Sequence, residues 1–427
     1  MLAPGQQVEL AVEKPAAGGR MIARHEGQVV FVLGAIPGER VVARIDRVER
    51  QLAFATTVDV PAPSPDRREP VVDLSCGGCL YAHVTYPRQV ALKAEVIADA
   101  FTRLGRMALP PLLVAPSPER GYRMRGRLFV QGAQAGFYRE GSHSLCDAAA
   151  TAQLRPSAIA TGLAAVRALQ EGGIGVSSMA ITENIEGDQR ALHAELQPGS
   201  RADGTLLGDV ARAHGLTGIS ACTGADRFSA GDPSVSDPIG VLAPGRVGTG
   251  SIRRHAESFF QANRFLLPDL VTAVLDAVSA DGSVLDLYAG VGLFSVALAA
   301  TRGGQITAVE GDRSSGRDLR ENARQCPGAV EVVRGSVEDY VRAPRRTPPD
   351  TVIVDPPRTG MSRAAMQAVA GMGARRVVYV SCDPATMARD ARRLIDAGYR
   401  LDALRGFDLF PNTPHVESLG VFSRAGE

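Results

Sequence analysis

Val284-Leu285-Asp286-Leu287-Tyr288-Ala289-Gly290-Val291-Gly292-Leu293-Phe294 reads as a buried strand, a glycine turn and the start of a helix. Glycines in such a turn let the backbone approach a ligand closely, and the helix behind them offers free N–H groups. Glu310 follows the next apolar run, 24 residues past Asp286. An acidic side chain at that distance is placed to bind both hydroxyls of a ribose. The turn lacks the third glycine of the dinucleotide fingerprint, and Asp286 precedes it, where it is placed to face a cationic or amino-acid group. Asp286, Gly290, Gly292 and Glu310 therefore read as a binding site for S-adenosylmethionine rather than a nicotinamide dinucleotide.

Around this stretch, helical and strand patterns alternate. Leu266–Val278 is helical, Ser283–Leu287 a strand, Leu293–Ala300 helical, Gln305–Glu310 a strand and Ser314–Gln325 helical. Alternation of this kind implies βαβ units and a parallel sheet. Two later apolar runs end in polar motifs. Thr351-Val352-Ile353-Val354 leads into Asp355-Pro356-Pro357-Arg358, and Val377-Val378-Tyr379-Val380 into Ser381-Cys382-Asp383-Pro384. His415-Val416-Glu417 lies beside the last strand. Open α/β sheets keep their ligand crevices at the carboxyl ends of the strands, so a thiol, a carboxylate and an arginine there point to nucleophilic chemistry. A lone cysteine is more often apolar filler, and Cys222 and Cys326 belong to that class.

The remainder of the chain sets the frame. A length of 427 residues predicts two or three domains. A net charge of +1 gives no global basic field, although 45 of the 47 basic residues are arginine, the exceptions being Lys14 and Lys93. Residues 1–60 read as about five short strands broken by glycine, a small OB-type barrel. The run Pro61-Ala62-Pro63-Ser64-Pro65 reads as a stiff linker. Residues 61–253 form a central α+β domain. It begins near a helix within residues 83–107 that carries Val90, Ala94, Ile97 and Phe101 at helical spacing and is placed to pack on the catalytic domain. Residues 254–427 form the catalytic domain. Tyr122-Arg123-Met124-Arg125-Gly126-Arg127 places arginines alternately along what reads as a strand edge, a candidate RNA grip. Six cysteines do not make a disulfide framework, and no apolar stretch reaches membrane-spanning length. A reducing cytoplasm, no membrane and a monomer are the expectations.

Four motifs in order resemble the uracil-C5 RNA methyltransferases: Asp286–Phe294, Asp355–Gly360, Ser381–Asp390 and Phe410–Glu417. Phe259-Phe260-Gln261-Ala262-Asn263 resembles the family's F-x-Q-x-N element. The N-terminal segment resembles a TRAM module, a small RNA-binding barrel, which points to the ribosomal-RNA branch. The resemblance implies a Rossmann-like methyltransferase domain that methylates uracil C5. Cys382 would add to C6 of the base and Glu417 would remove the C5 proton. Gln261, Tyr288, Glu310 and Asp355 would contact S-adenosylmethionine, and Arg358, Phe260 and Asn263 the substrate. The expected target is 23S rRNA. The alternatives are a tRNA uridine-C5 methyltransferase and a non-catalytic RNA-binding protein of the same fold. An amino-group methyltransferase is disfavoured because Arg358 stands where such sites carry an aromatic residue and because that chemistry needs no thiol.

Cys76-Gly77-Gly78-Cys79 resembles the C-G-G-C of family members that bind a [4Fe–4S] cluster. The family's first cysteine is replaced here by Pro70 and its fourth by Thr151, while Cys146 falls on the opposite face of an extended strand from that position. Only Cys76 and Cys79 match as metal ligands. The expectation is that no cluster forms, with part of a zinc site as the other use of the pair.

Overall fold

The computed structural model describes residues 2–70, 72–132, 134–343 and 347–424. Strands β1 (Gln7–Pro15), β2 (Met21–His25), β3 (Gln28–Leu33), β4 (Arg40–Glu49) and β5 (Leu52–Ala62) close into a barrel in the order β1-β2-β3-β5-β4. Val8, Leu10 and Val12 point inward and Glu9, Ala11 and Glu13 outward, the period-two pattern of a strand with one buried face. Ala62 pairs with Arg40, so the proline-rich stretch begins inside the barrel.

Helix α1 (Tyr86–Arg103) follows, with Pro87 in its first turn. Leu92 joins the barrel core, whereas Ile97 and Phe101 join the core of the catalytic domain. The helix thus ties the two together. Its buried stripe also contains Gln89 and Lys93, while Val90 and Ala94 are only partly covered. Strand β6 (Val114–Ala115) pairs in parallel with Gly406-Phe407, so residues well before position 254 complete the catalytic sheet.

The central domain holds β7 (Arg125–Gln131), β8 (Gln134–Tyr138), β9 (Leu145–Asp147), α2 (Pro156–Glu171), β10 (Val176–Glu183), β11 (Arg190–Leu196), α3 (Gly204–Ala213), β12 (Gly218–Thr223) and β13 (Asp226–Gly231). Its sheet runs β13-β12-β11-β10-β7-β8-β9, with α2 and α3 packed on Met179, Ile181 and Leu192. Strand β7 pairs with β10 over Arg125–Phe129 but with β8 only over Phe129–Gln131, so Arg125 and Arg127 are ladder-paired on the β10 side. Strands β14 (Ser234–Pro238) and β15 (Ser251–His255) form a ribbon around the short α4 (Ile239–Leu242) and lead into the catalytic domain.

That domain contains α5 (Leu267–Ala277), β16 (Val284–Leu287), α6 (Leu293–Arg302), β17 (Ile306–Glu310), α7 (Arg313–Ala323), β18 (Val330–Arg334), α8 (Val337–Arg342), β19 (Thr351–Val354), α9 (Arg363–Gly371), β20 (Arg376–Ser381), α10 (Pro384–Asp396), β21 (Tyr399–Phe407) and β22 (Glu417–Arg424). The sheet order is β18-β17-β16-β19-β20-β22-β21-β6. Every residue of β16 and β19 is buried, as expected of parallel strands covered on both faces. The chain leaves β16 toward β17 on one side and returns through β19 on the other. This reversal opens a crevice above the strand ends. Among the described residues no helix is long and apolar enough to cross a membrane.

Candidate active site

The turn after β16 is built by backbone conformations that few residues tolerate. Tyr288, Gly290 and Gly292 have φ of 61°, 58° and 91°. A Cβ at Gly292 would lie 2.7 Å from Leu319 Cδ1, so that glycine is required by packing as well as by φ. A Cβ at Gly290 would meet nothing within 4 Å, which leaves this backbone open to a ligand. Glu310, at the end of β17, accepts a hydrogen bond from Gly290 N at 2.7 Å and one from Asp312 N at 2.5 Å. Its carboxylate is therefore fixed beside the turn. Asp286 lies fully buried beneath it. One oxygen accepts from Ser295 N at 3.2 Å, and the other has no partner. Burial pushes its carboxyl up to about 7.

The thiol comes from the far side of the crevice. Strands β20 and β22 are antiparallel, and their ladder ends at Ser381↔Ser418. The next residue outward on each strand is Cys382 and Glu417, so register alone brings a thiol and a carboxylate together. Asp383 then caps α10 by accepting from Thr386 N at 2.6 Å, which ends the strand at the cysteine. Burial, the Glu417 carboxylate and Asp355 push the Cys382 thiol up to about 12, while the Arg358 guanidinium lowers it by charge and by a hydrogen bond. Glu417 is 2% exposed, with Oε1 unpartnered. Burial and the Asp355 carboxylate hold it well above the usual carboxylate range, and Arg358 opposes both. Asp355 itself, pushed up to about 7 by burial, accepts a hydrogen bond of 3.4 Å from Gln261.

These groups share one cavity of about 740 Å³. Of the residues singled out from sequence, Cys382, Glu417, Gln261, Tyr288, Gly290, Glu310, Asp355, Arg358 and Phe260 line it. Asp286 and Gly292 support its floor. Asn263 does not line it: the fully buried amide donates to Ser117 Oγ and Leu409 O and accepts from Phe265 N and Leu266 N, which uses it up as a structural cap and leaves nothing for a substrate. Three further wall residues come from the F-x-Q-x-N element and from the arginine stretch read as an RNA grip. Phe259 stands 67% exposed at the rim, while Arg123 and Arg125 reach in from the central domain. Burial and the neighbouring arginines lower Arg125 to about 10. The Arg-x-Arg alternation signalled these two, but their approach to the cavity depends on how two domains meet.

The C-x-x-C does not build a comparable site. Cys76 is disulfide-bonded to Cys146, with Cα atoms 5.9 Å apart. The chain turns after β9 instead of staying extended, which overturns the opposite-face argument for Cys146. Cys79 is a free, buried thiol beside a cavity of about 400 Å³ that Thr151 also lines. Among the described residues no three His, Cys, Asp or Glu side chains are grouped to hold a metal. Cys76 and Cys79 as found therefore do not fit a [4Fe–4S] cluster, which needs four thiolates.

The tRNA (Uracil-5-)-methyltransferase family model matches residues 249–425, and the TRAM domain model matches residues 2–58. A 23S rRNA (uracil(1939)-C(5))-methyltransferase of Alkalilimnicola ehrlichii is 34% identical over 99% of this chain and 98% of its own length. The chain belongs to the uracil-C5 RNA methyltransferase family. A second such enzyme, from Alcanivorax borkumensis, is 30% identical over 97% of this chain and 96% of its own. Among solved structures, the tRNA (uracil-54, C5)-methyltransferase of Pyrococcus abyssi, in complex with S-adenosyl-L-homocysteine, superposes with a TM-score of 0.75 at 23% identity. It covers 97% of this chain and 99% of that one, a likeness of fold.

Proposed function

We propose that the protein methylates C5 of a uridine in RNA with S-adenosylmethionine, and that the RNA is 23S rRNA. The observation that carries the reaction is the strand-end pairing of Cys382 with Glu417 over the same cavity that holds the glycine turn. Uracil C5 is a poor nucleophile. Bonding of the Cys382 thiolate to C6 pushes the ring electrons toward C5 and O4 and makes C5 an enolate carbon. When bound, S-adenosylmethionine supplies an electrophilic methyl group to that carbon. Gly290, Glu310, Gln261, Tyr288 and Asp355 line its side of the cavity, above Asp286 and Gly292. Glu417 then takes the C5 proton, the C6–S bond breaks and the thiolate is restored. Arg358 is the group whose charge favours the ionised form of both Cys382 and Glu417, which gives it a direct part in each half of the cycle.

The base must leave its stack to reach this cavity, at a cost of roughly a few kcal/mol. Phe259, Arg123 and Arg125 at the wall suit a splayed nucleotide and its phosphates. On the barrel, Phe31 and Phe54 stack with centroids 5.5 Å apart, and Arg47 lies 3.9 Å over Phe54, a surface suited to single-stranded RNA. The choice of 23S rRNA rests on the two full-length relatives named for it and on the barrel. Incubation with methyl-labelled S-adenosylmethionine and separate rRNA and tRNA pools, followed by nucleoside analysis, tests the reading. Label is expected in 5-methyluridine from 23S rRNA. Label from tRNA would move the target, and label from neither pool would defeat the reaction.

A further inference from the structure

Lys93 is one of two lysines in a chain that uses arginine at its 45 other basic positions, and it is 1% exposed. Its ammonium donates to the Asp408 carboxylate and, at 3.0 Å, to Phe410 O. One helical turn earlier on α1, the fully buried Gln89 donates to Asn412 Oδ1 at 2.9 Å and accepts from Asn412 N at 2.8 Å. Arg68 donates to the same Oδ1 at 2.8 Å, and Tyr81 N donates to Asn412 O at 2.9 Å. Asn412 has a φ of +65°, an uncommon conformation for a residue with a side chain, held in place by these four contacts.

The gripped segment matters because of where its ends lie. It connects β21 to β22, whose last ladder pair is Phe407↔Glu417. Asp408 therefore adjoins the partner of Glu417, and Phe410 forms part of the cavity wall. A compact ammonium can direct separate donors at a carboxylate and a carbonyl, whereas a planar guanidinium is larger and aims its donors in a fixed fork. This accounts for a lysine at this site in an arginine-rich chain.

We propose that Gln89 and Lys93 are positioning residues: by fixing the Asp408–Asn412 turn from α1, they place Glu417 for the proton-removal half of the reaction. The inference rests on the reading of Glu417 as the base. Cys382 follows β20 and the glycine turn follows β16, whereas the hydrogen bonds of Gln89 and Lys93 go to Tyr81, Val84, Asp408, Phe410 and Asn412, so thiol addition and cofactor binding do not depend on this grip.

The test uses two full-length variants that leave no buried charge unpaired, Gln89→Leu and the double variant Lys93→Met/Asp408→Leu. Three quantities are measured: the rate at which 5-fluorouridine RNA is trapped, the affinity for S-adenosylmethionine, and the release of product from ordinary RNA. Trapping and affinity are expected to match the wild type. Release is expected to slow by about tenfold to a hundredfold, with a covalent, already methylated RNA adduct accumulating. Wild-type release in both variants, or an equal fall in all three quantities, would overturn the proposal. If the wild-type protein itself forms no adduct, the functional reading fails instead.

Discussion

Cys79 is a buried thiol and Cys382 a half-buried one, and each is raised to about 12 with burial as the largest cause. Their surroundings differ. For Cys79 burial is the whole cause, and its neighbours are Cys76, Cys146, Ala82 and Leu74. Cys382 faces two carboxylates that raise it further and one guanidinium that lowers it. Burial alone does not distinguish a nucleophile from filler. A counter-charge and a proton acceptor within one cavity do: Glu417 is brought there by strand register, and Arg358 by the turn after β19.

The comparison breaks most directly by deleting each thiol. Cys382→Ala is expected to lower methyl transfer by about 10⁴-fold or more. Cys79→Ala should leave turnover unchanged while costing about 1 kcal/mol of stability by denaturant unfolding. Loss of turnover in the second variant would dissolve the distinction. Glu417→Gln should reduce turnover by about 10²- to 10⁴-fold yet leave addition intact, so that gel electrophoresis shows a covalent RNA adduct on unmodified substrate.

Arg358→Met sharpens the electrostatic side. With the thiol near 12, thiolate is the minor form at neutral pH, and alkylation of Cys382 should rise about tenfold per pH unit. Removing the one lowering charge moves the thiol up, so alkylation at any fixed pH should fall, by about threefold to tenfold. The last test, on stability rather than turnover, concerns Asp286. Its carboxyl is raised in the folded state to about 7, so its stability contribution is fully present below about pH 4, the unfolded value, and is lost as pH rises through 7. Asp286→Asn should melt higher than the wild type at pH 8 and alike at pH 4; equal melting at both would contradict the assignment.

Much of this was legible in the sequence. The glycine turn, Glu310 and the polar motifs at strand ends are local signals, and the cavity assembles them. The rest depends on contacts between distant elements. Gln89 and Lys93 interrupt the apolar period of α1, and nothing nearby in sequence reveals the Asp408–Asn412 turn that satisfies them. Asn263 has the composition of a ligand-binding residue, but Ser117 and Leu409 use up its donors. Cys146 escaped a count based on an extended strand because the chain bends after Asp147. Burial of a polar side chain is a tertiary fact that periodicity does not carry.

Peptide mapping of the species trapped on 5-fluorouridine RNA is the decisive measurement, because that base has no removable proton at C5 and the C6–S bond cannot be released. The modified peptide should contain Cys382, with the methyl group already on the base. A trapped peptide carrying any other nucleophile, or no trapped species from a protein that nonetheless makes 5-methyluridine, would contradict the assignment.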